Sequence, residues 1–139
     1  MAIKYLLDTN ILSEPVRKTP NPKVVKHIQE AADEMAIAAT TWHELLFGVL
    51  RMPDSQRRTA LEQYLLDTIR PEVPILPYDA QAAAWFAQER AHLSSKGLPP
   101  SYPDGHIAAV AAVNGLILVT RNVAGFTEFS DLKIENWFD

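Results

Sequence analysis

The chain has 139 residues, 47% hydrophobic and 22% charged, with 13 Lys and Arg against 17 Asp and Glu for a formal net charge of −4. That length and balance fit one domain, 1–139, with its own apolar core, and they exclude disordered, collagenous and disulfide-stapled classes. Cysteine is absent, which excludes thiolate zinc sites, iron–sulfur clusters and cysteine nucleophiles, and the acidic balance requires a local basic rim or a bound cation for any nucleic-acid partner.

In chain order, Ile3 to Leu7 is a short apolar run that stops in Asp8-Thr9-Asn10, as a buried central strand does. Pro20 and Pro22 precede a helix over about Lys23 to Ala32, and Met35 to Ala39 reads as a second strand. Thr40 or Thr41 is expected to cap a helix carrying Leu45, Leu46, Val49 and Leu50. Asp54 opens a longer helix with Leu61, Leu65, Leu66 and Ile69 at helical spacing, which Pro71 should stop. Val73 to Leu76 is a third strand, and Asp79 caps an alanine-rich helix ending before Gly97. Pro103 suits the first turn of a helix whose Ile107, Ala108, Ala111 and Ala112 face inward and which Gly115 ends. Leu116 to Thr120 is a fourth strand and Leu132 to Ile134 a short fifth.

The longest apolar stretch, Ile107 to Val119, is broken by Asn114 and Gly115 and falls short of the ~20 residues of a bilayer span. Met1 to Leu7 lacks the features of a signal peptide, so a cytoplasmic location without membrane contact is expected. Alternating strands and helices imply a mainly parallel sheet of about five strands inside a three-layer α/β/α sandwich. In such sheets ligands bind beyond the carboxyl ends of the strands. Asp8 ends the first strand, Asn122 follows the fourth, and Glu44 and Asp104 sit near helix N-termini at the same edge.

Each acid also has an ordinary explanation. Asp8 caps a turn, Thr41-Trp42-His43-Glu44 has the form of a capping box, and Asp104 lies in a first turn where the helix dipole favours anions. Asp79 is the control, a cap two strand spacings from the first strand in the order 3-2-1-4-5. Convergence favours chemistry, because carboxylates repel by about 4 kcal/mol per pair at 4 Å and an effective dielectric of 20. Such a site protonates one acid or captures a cation. Oxygen ligands without cysteine point to Mg²⁺ or Mn²⁺, which can position and acidify a water for attack on a phosphodiester.

The histidines add little. His43 and His106 point away from the neighbouring acids, His27 and His92 read as surface or rim residues, and Phe47 stands where a zinc metalloprotease needs its second His. The five glycines form no phosphate-cradling loop, so nucleotide binding of the dinucleotide or NTPase kinds has no support. Trp42, Trp85 and Trp137 read as core or interface filler.

The ordered set Leu6-Leu7-Asp8-Thr9-Asn10-Ile11-Leu12-Ser13, Trp42-His43-Glu44-Leu45 with Gly48, Pro103-Asp104 with Ile107-Ala108-Ala109 and Ala111, and Val119-Thr120-Arg121-Asn122 with Phe126 resembles a PIN domain. Within that family it is similar to VapC-like toxins of bacterial toxin–antitoxin pairs. The resemblance implies a metal-dependent endoribonuclease with Asp8, Glu44 and Asp104 as metal-binding acids. It also implies a homodimer and a VapB-like antitoxin whose segment occupies the acidic groove.

Relatives often carry an acid where Asn122 or Gly125 stands, and this chain has neither. Asn122 is therefore expected to give a neutral oxygen or hold a metal-bound water, and Thr9 and Thr120 to orient the acids. Arg17, Lys18, Arg51 and Arg121 are candidates for RNA phosphates, against their ordinary role as solvated surface charges. A PIN-like binding module that has lost catalysis is the alternative. A haloacid-dehalogenase-type phosphatase would need an acid at Asn10.

Overall fold

The computed structural model describes residues 2–139. Five short strands, β1 (Tyr5–Leu7), β2 (Met35–Ala38), β3 (Ile75–Leu76), β4 (Ile117–Val119) and β5 (Ile134–Glu135), form a sheet in the order β3-β2-β1-β4-β5. Every neighbouring pair is parallel, with Leu6 registered against Ala36 on one side and Leu118 on the other. The expected order and hand of pairing are therefore found.

Successive side chains of a strand leave opposite faces of the sheet, and here both faces are buried. Leu6, Ala36, Ala38 and Leu118 enter one core, closed by α6 (Ala80–Ser95) and α7 (Tyr102–Val113). Leu7, Ile37 and Val119 enter the other, closed by α1 (Thr9–Leu12), α2 (Pro22–Glu30), α3 (Ala39–Leu50) and the segment that begins with α4 (Gln56–Gln63). Trp137 is fully buried in that second core, stacked on His27, so it is filler as expected. Among the described residues no helix is long and apolar enough to cross a membrane.

Glycine matters at two places. Gly115 ends α7 at φ 65°, a left-handed conformation that lets the Leu116 N–H close back on the Ala111 carbonyl. A Cβ on Gly105 would overlap the Phe86 ring, so the first turn of α7, which carries Asp104, lies flush against α6.

Three local expectations need correction. No threonine caps α3: Ala38 is its N-cap and makes no side-chain cap, because β2 passes straight into the helix. Glu44 then lies well inside the helix, and the capping-box reading fails. Second, Ser55 rather than Asp54 caps α4, and Asp54 instead pairs with Arg58 at 3.2 Å. Third, Pro71 does not stop this helix. A wide π turn over Tyr64–Ile69 is followed by α5 (Arg70–Glu72), and that widening relieves the clash Pro71 would make with the Asp67 carbonyl.

Glu14, only 2% exposed, accepts from the Asn21 backbone N–H at 2.7 Å and pairs with Arg17 at 3.2 Å. It ties the turn after α1 to the start of α2. Replacing Glu14 with Ala leaves a backbone N–H without its charged acceptor and should cost about 2 kcal/mol. A urea midpoint unchanged from wild type would refute that strut.

Candidate active site

Asp8 leaves the carboxyl end of the central strand and is buried, with 8% exposure. Its Oδ1 accepts from the Thr9 N–H at 2.8 Å and its Oδ2 from the Thr120 hydroxyl at 2.8 Å. Thr120 in turn accepts from the Asn122 backbone N–H at 3.0 Å. Both carboxylate oxygens are thus fixed by the ends of β1 and β4, and only a residue at the strand terminus can be held this way.

Glu44 projects from α3, half-buried, and accepts from the Thr9 hydroxyl at 3.4 Å. Thr9 therefore touches two of the acids, through its N–H and its hydroxyl. Asp104 is in the first turn of α7, where Ser101 caps its N–H at 3.2 Å. Asp79, by contrast, caps α6 through Ala82 at 3.0 Å and does nothing else, as expected of the control.

The three carboxylates feel one another. Burial first, and the charge of Asp104 with it, push the Asp8 carboxyl above the usual carboxylate range, against the opposing bonds from Thr120 and Thr9. Glu44 is also raised, by burial, then by Asp8 and by Asp104, while the Thr9 hydroxyl and His43 act the other way. The ion pairs among the described residues join Arg17 to Glu14, Lys26 to Glu30 and Arg58 to Asp54, and none reaches these acids. Among the described residues their negative charge is not neutralised by an ion pair.

An all-oxygen, acidic and uncompensated donor set fits a hard divalent cation. Among the described residues no three His, Cys, Asp or Glu side chains already stand close enough to grip an ion.

The Asn122 side chain makes no cap for the short turn it precedes and lies instead against Gly125, where a Cβ would meet its Nδ2 at 2.5 Å. One side chain fills the space at both positions. From the sequence Asn10 has no expected role at this site, yet its Oδ1 accepts from the Arg121 N–H at 3.1 Å and binds α1 to the loop after β4. The only signal was its place in the polar run that ends β1.

Of the basic candidates, Arg17 is engaged with Glu14 but also lines a cleft of about 310 Å³ beside Thr9 and Glu44, with Arg57 on the same wall. Arg51 stacks on Phe47 at 5.5 Å and Arg121 on Phe138 at 4.4 Å. Lys18 is exposed and is in none of the ion pairs among the described residues. His106 stacks on Tyr78 with ring centroids 3.9 Å apart, and His43 is exposed against Phe47, so neither joins the carboxylates.

The sequence model of the PIN domain matches residues 5–132. The chain is 33% identical over 137 residues to Toxin FitB of Neisseria gonorrhoeae, spanning 96% of this chain and 99% of that one. It is 33% identical over 135 residues to Ribonuclease VapC2 of Haemophilus influenzae, spanning 97% and 98%. Among solved structures, FitAcB from Neisseria gonorrhoeae superposes with a TM-score of 0.89 at 33% identity, over 96% of this chain and 98% of that chain.

Proposed function

The chain belongs to the PIN domain family, and from that premise we propose that it is a divalent-cation-dependent endoribonuclease, hydrolysing phosphodiester bonds in RNA as the toxin of a toxin–antitoxin pair. The observation that carries this reading is the acid at the end of β1, Asp8, braced by Thr9 and Thr120 and linked through Thr9 to Glu44, with no ion pair to Asp8, Glu44 or Asp104 among the described residues. The ribonuclease and toxin relatives, alike over nearly their whole length, support the same reading.

In this reading Asp8, Glu44 and Asp104 hold Mg²⁺ or Mn²⁺. When bound there, such a cation would supply positive charge for the phosphoryl oxygens and would lower the pKa of an attacking water. Thr120 and the Thr9 N–H keep the Asp8 carboxylate in one orientation. The Thr9 hydroxyl steadies Glu44 Oε1, so one residue would position two members of the ligand set. Asn122 is a neutral member at the rim, and with no acid there or at Gly125 one cation is favoured over two.

The negative groove calls for Arg or Lys from an antitoxin segment. The adjoining cleft, walled by Leu45, Val49, Leu61 and Leu65, suits that segment's apolar side chains. A homodimer is part of the same reading and would cover Phe47 and Leu50, exposed on α3. The whole chain, 1–139, is assigned to this one domain.

Purified protein incubated with RNA and Mn²⁺ should cleave it, and excess chelator should stop cleavage. Cleavage that survives the chelator would overturn the cation-dependent mechanism. Retention of RNA without turnover would favour the binding module instead.

A further inference from the structure

Next to the acids, between the first turns of α3 and α7, is a hollow of about 380 Å³. Ala39, Thr40 and His43 line it from α3, and Tyr102, Pro103 and His106 from α7. The two triplets share the spacing i, i+1, i+4, so each marks one helix face. Glu44 and Asp104 come one residue after His43 and Pro103, about 100° further round, which places the hollow on the face beside the carboxylates.

Its wall is aromatic. The Tyr102 and His106 rings lie within 21° of parallel with centroids 6.1 Å apart. His106 is fixed from behind by Tyr78 and at its edge by Thr40, whose Oγ1 is 3.3 Å from Nδ1. Tyr102 is 54% exposed, one of the four large hydrophobic side chains left open to solvent among the described residues. Two positive features adjoin this wall. The Arg90 guanidinium sits 4.6 Å from the Tyr102 centroid, and the start of the 12-residue α3 carries no side-chain cap, leaving its N–H groups toward the rim.

We propose that this hollow is a stacking subsite for a nucleobase of single-stranded RNA, with Tyr102 and His106 as the platform and the α3 N-terminus and Arg90 facing the flanking phosphate. Exposed flat rings with a guanidinium beside them are features by which proteins hold unpaired bases without reading sequence. The proposal rests on the endoribonuclease reading and adds where the strand beside the cut lies.

The test compares a fluorescein-labelled oligoadenylate with its fully abasic ribose-phosphate counterpart, binding measured by anisotropy in chelator so that nothing is cleaved. Wild type should prefer the base-bearing strand by about tenfold. Tyr102→Ala should lose that preference while binding the abasic strand as before, and Tyr102→Phe should keep it. Because Tyr102 is largely exposed, these variants should fold. Equal losses on both strands, or a preference that Tyr102→Ala retains, would overturn the subsite. A preference retained together with a changed mass in light scattering would mark Tyr102 as a subunit contact and also overturn it. If wild type fails to cleave RNA with Mn²⁺ while the base preference still depends on Tyr102, the nuclease reading fails and the platform stands.

Discussion

Asp8→Asn should lower RNA cleavage by about a thousandfold, the scale on which losing one preorganised electrostatic group at a reacting centre is felt. The exchange keeps the side chain's shape. The amide oxygen can still accept from the Thr9 N–H, and the amide nitrogen can donate to the Thr120 hydroxyl where the carboxylate accepted. What disappears is the charge, so the loss reports on that charge and not on a collapsed strand end.

Asp104→Asn should fall comparably, since its charge acts on both other acids. Thr120→Val leaves the carboxylate in place but unbraced, and a loss of about ten- to a hundredfold is expected. Asp79→Asn is the internal standard: it is also a helix cap at this edge of the sheet, and an amide caps as well as a carboxylate, so its activity should equal wild type. Initial rates with Mn²⁺ on one RNA substrate separate these cases. If Asp8→Asn keeps even a tenth of the activity, the carboxylate at the end of β1 is not what drives the reaction.

The layering and the acidic edge could be read from the sequence because buried parallel strands announce themselves. Leu6-Leu7 and Ala36-Ile37 are unbroken apolar pairs, and only a strand between two helix layers tolerates that on both faces. Asp8 stood out for the complementary reason, a polar group where such a strand abruptly ends. What stayed hidden depended on contacts remote in sequence or on the lack of a signal. The start of α3 at Ala39 has no capping residue to mark it. Glu14 looks like an exposed turn acid beside Pro15, and its burial follows only from the Asn21 N–H seven residues on. Pro71 breaks an ordinary helix, and nothing local shows that a π turn will absorb it. Tyr102 and His106 gain meaning only once α7 lies alongside α3, which the sequence of either helix leaves undefined.

Melting experiments without cation should find the protein less stable as pH rises through and just above the ordinary carboxylate range. Asp8 and Glu44 bind their protons more tightly folded than unfolded. Below the ordinary range both states are protonated and nothing is lost. As pH rises the unfolded chain ionises first, the folded chain resists, and stability declines until the raised folded values are passed. Asp8→Asn removes much of this burden, so without cation its pH dependence should be flatter and its neutral-pH Tm higher than wild type. Mg²⁺ or Mn²⁺ should act in the opposite sense on wild type, because a ligand that binds only the folded state stabilises it by about 2.7 kcal/mol at a hundred times its Kd. For a chain of this size that is a rise of about 9 °C in Tm. The variant should show little of that rise, since the charge that draws the cation is gone. Stability and catalysis are then opposed at one carboxylate: the buried charge that weakens the cation-free fold is what would draw a cation to the site. An equal rise in wild type and Asp8→Asn would separate the two and place the cation elsewhere on the molecule.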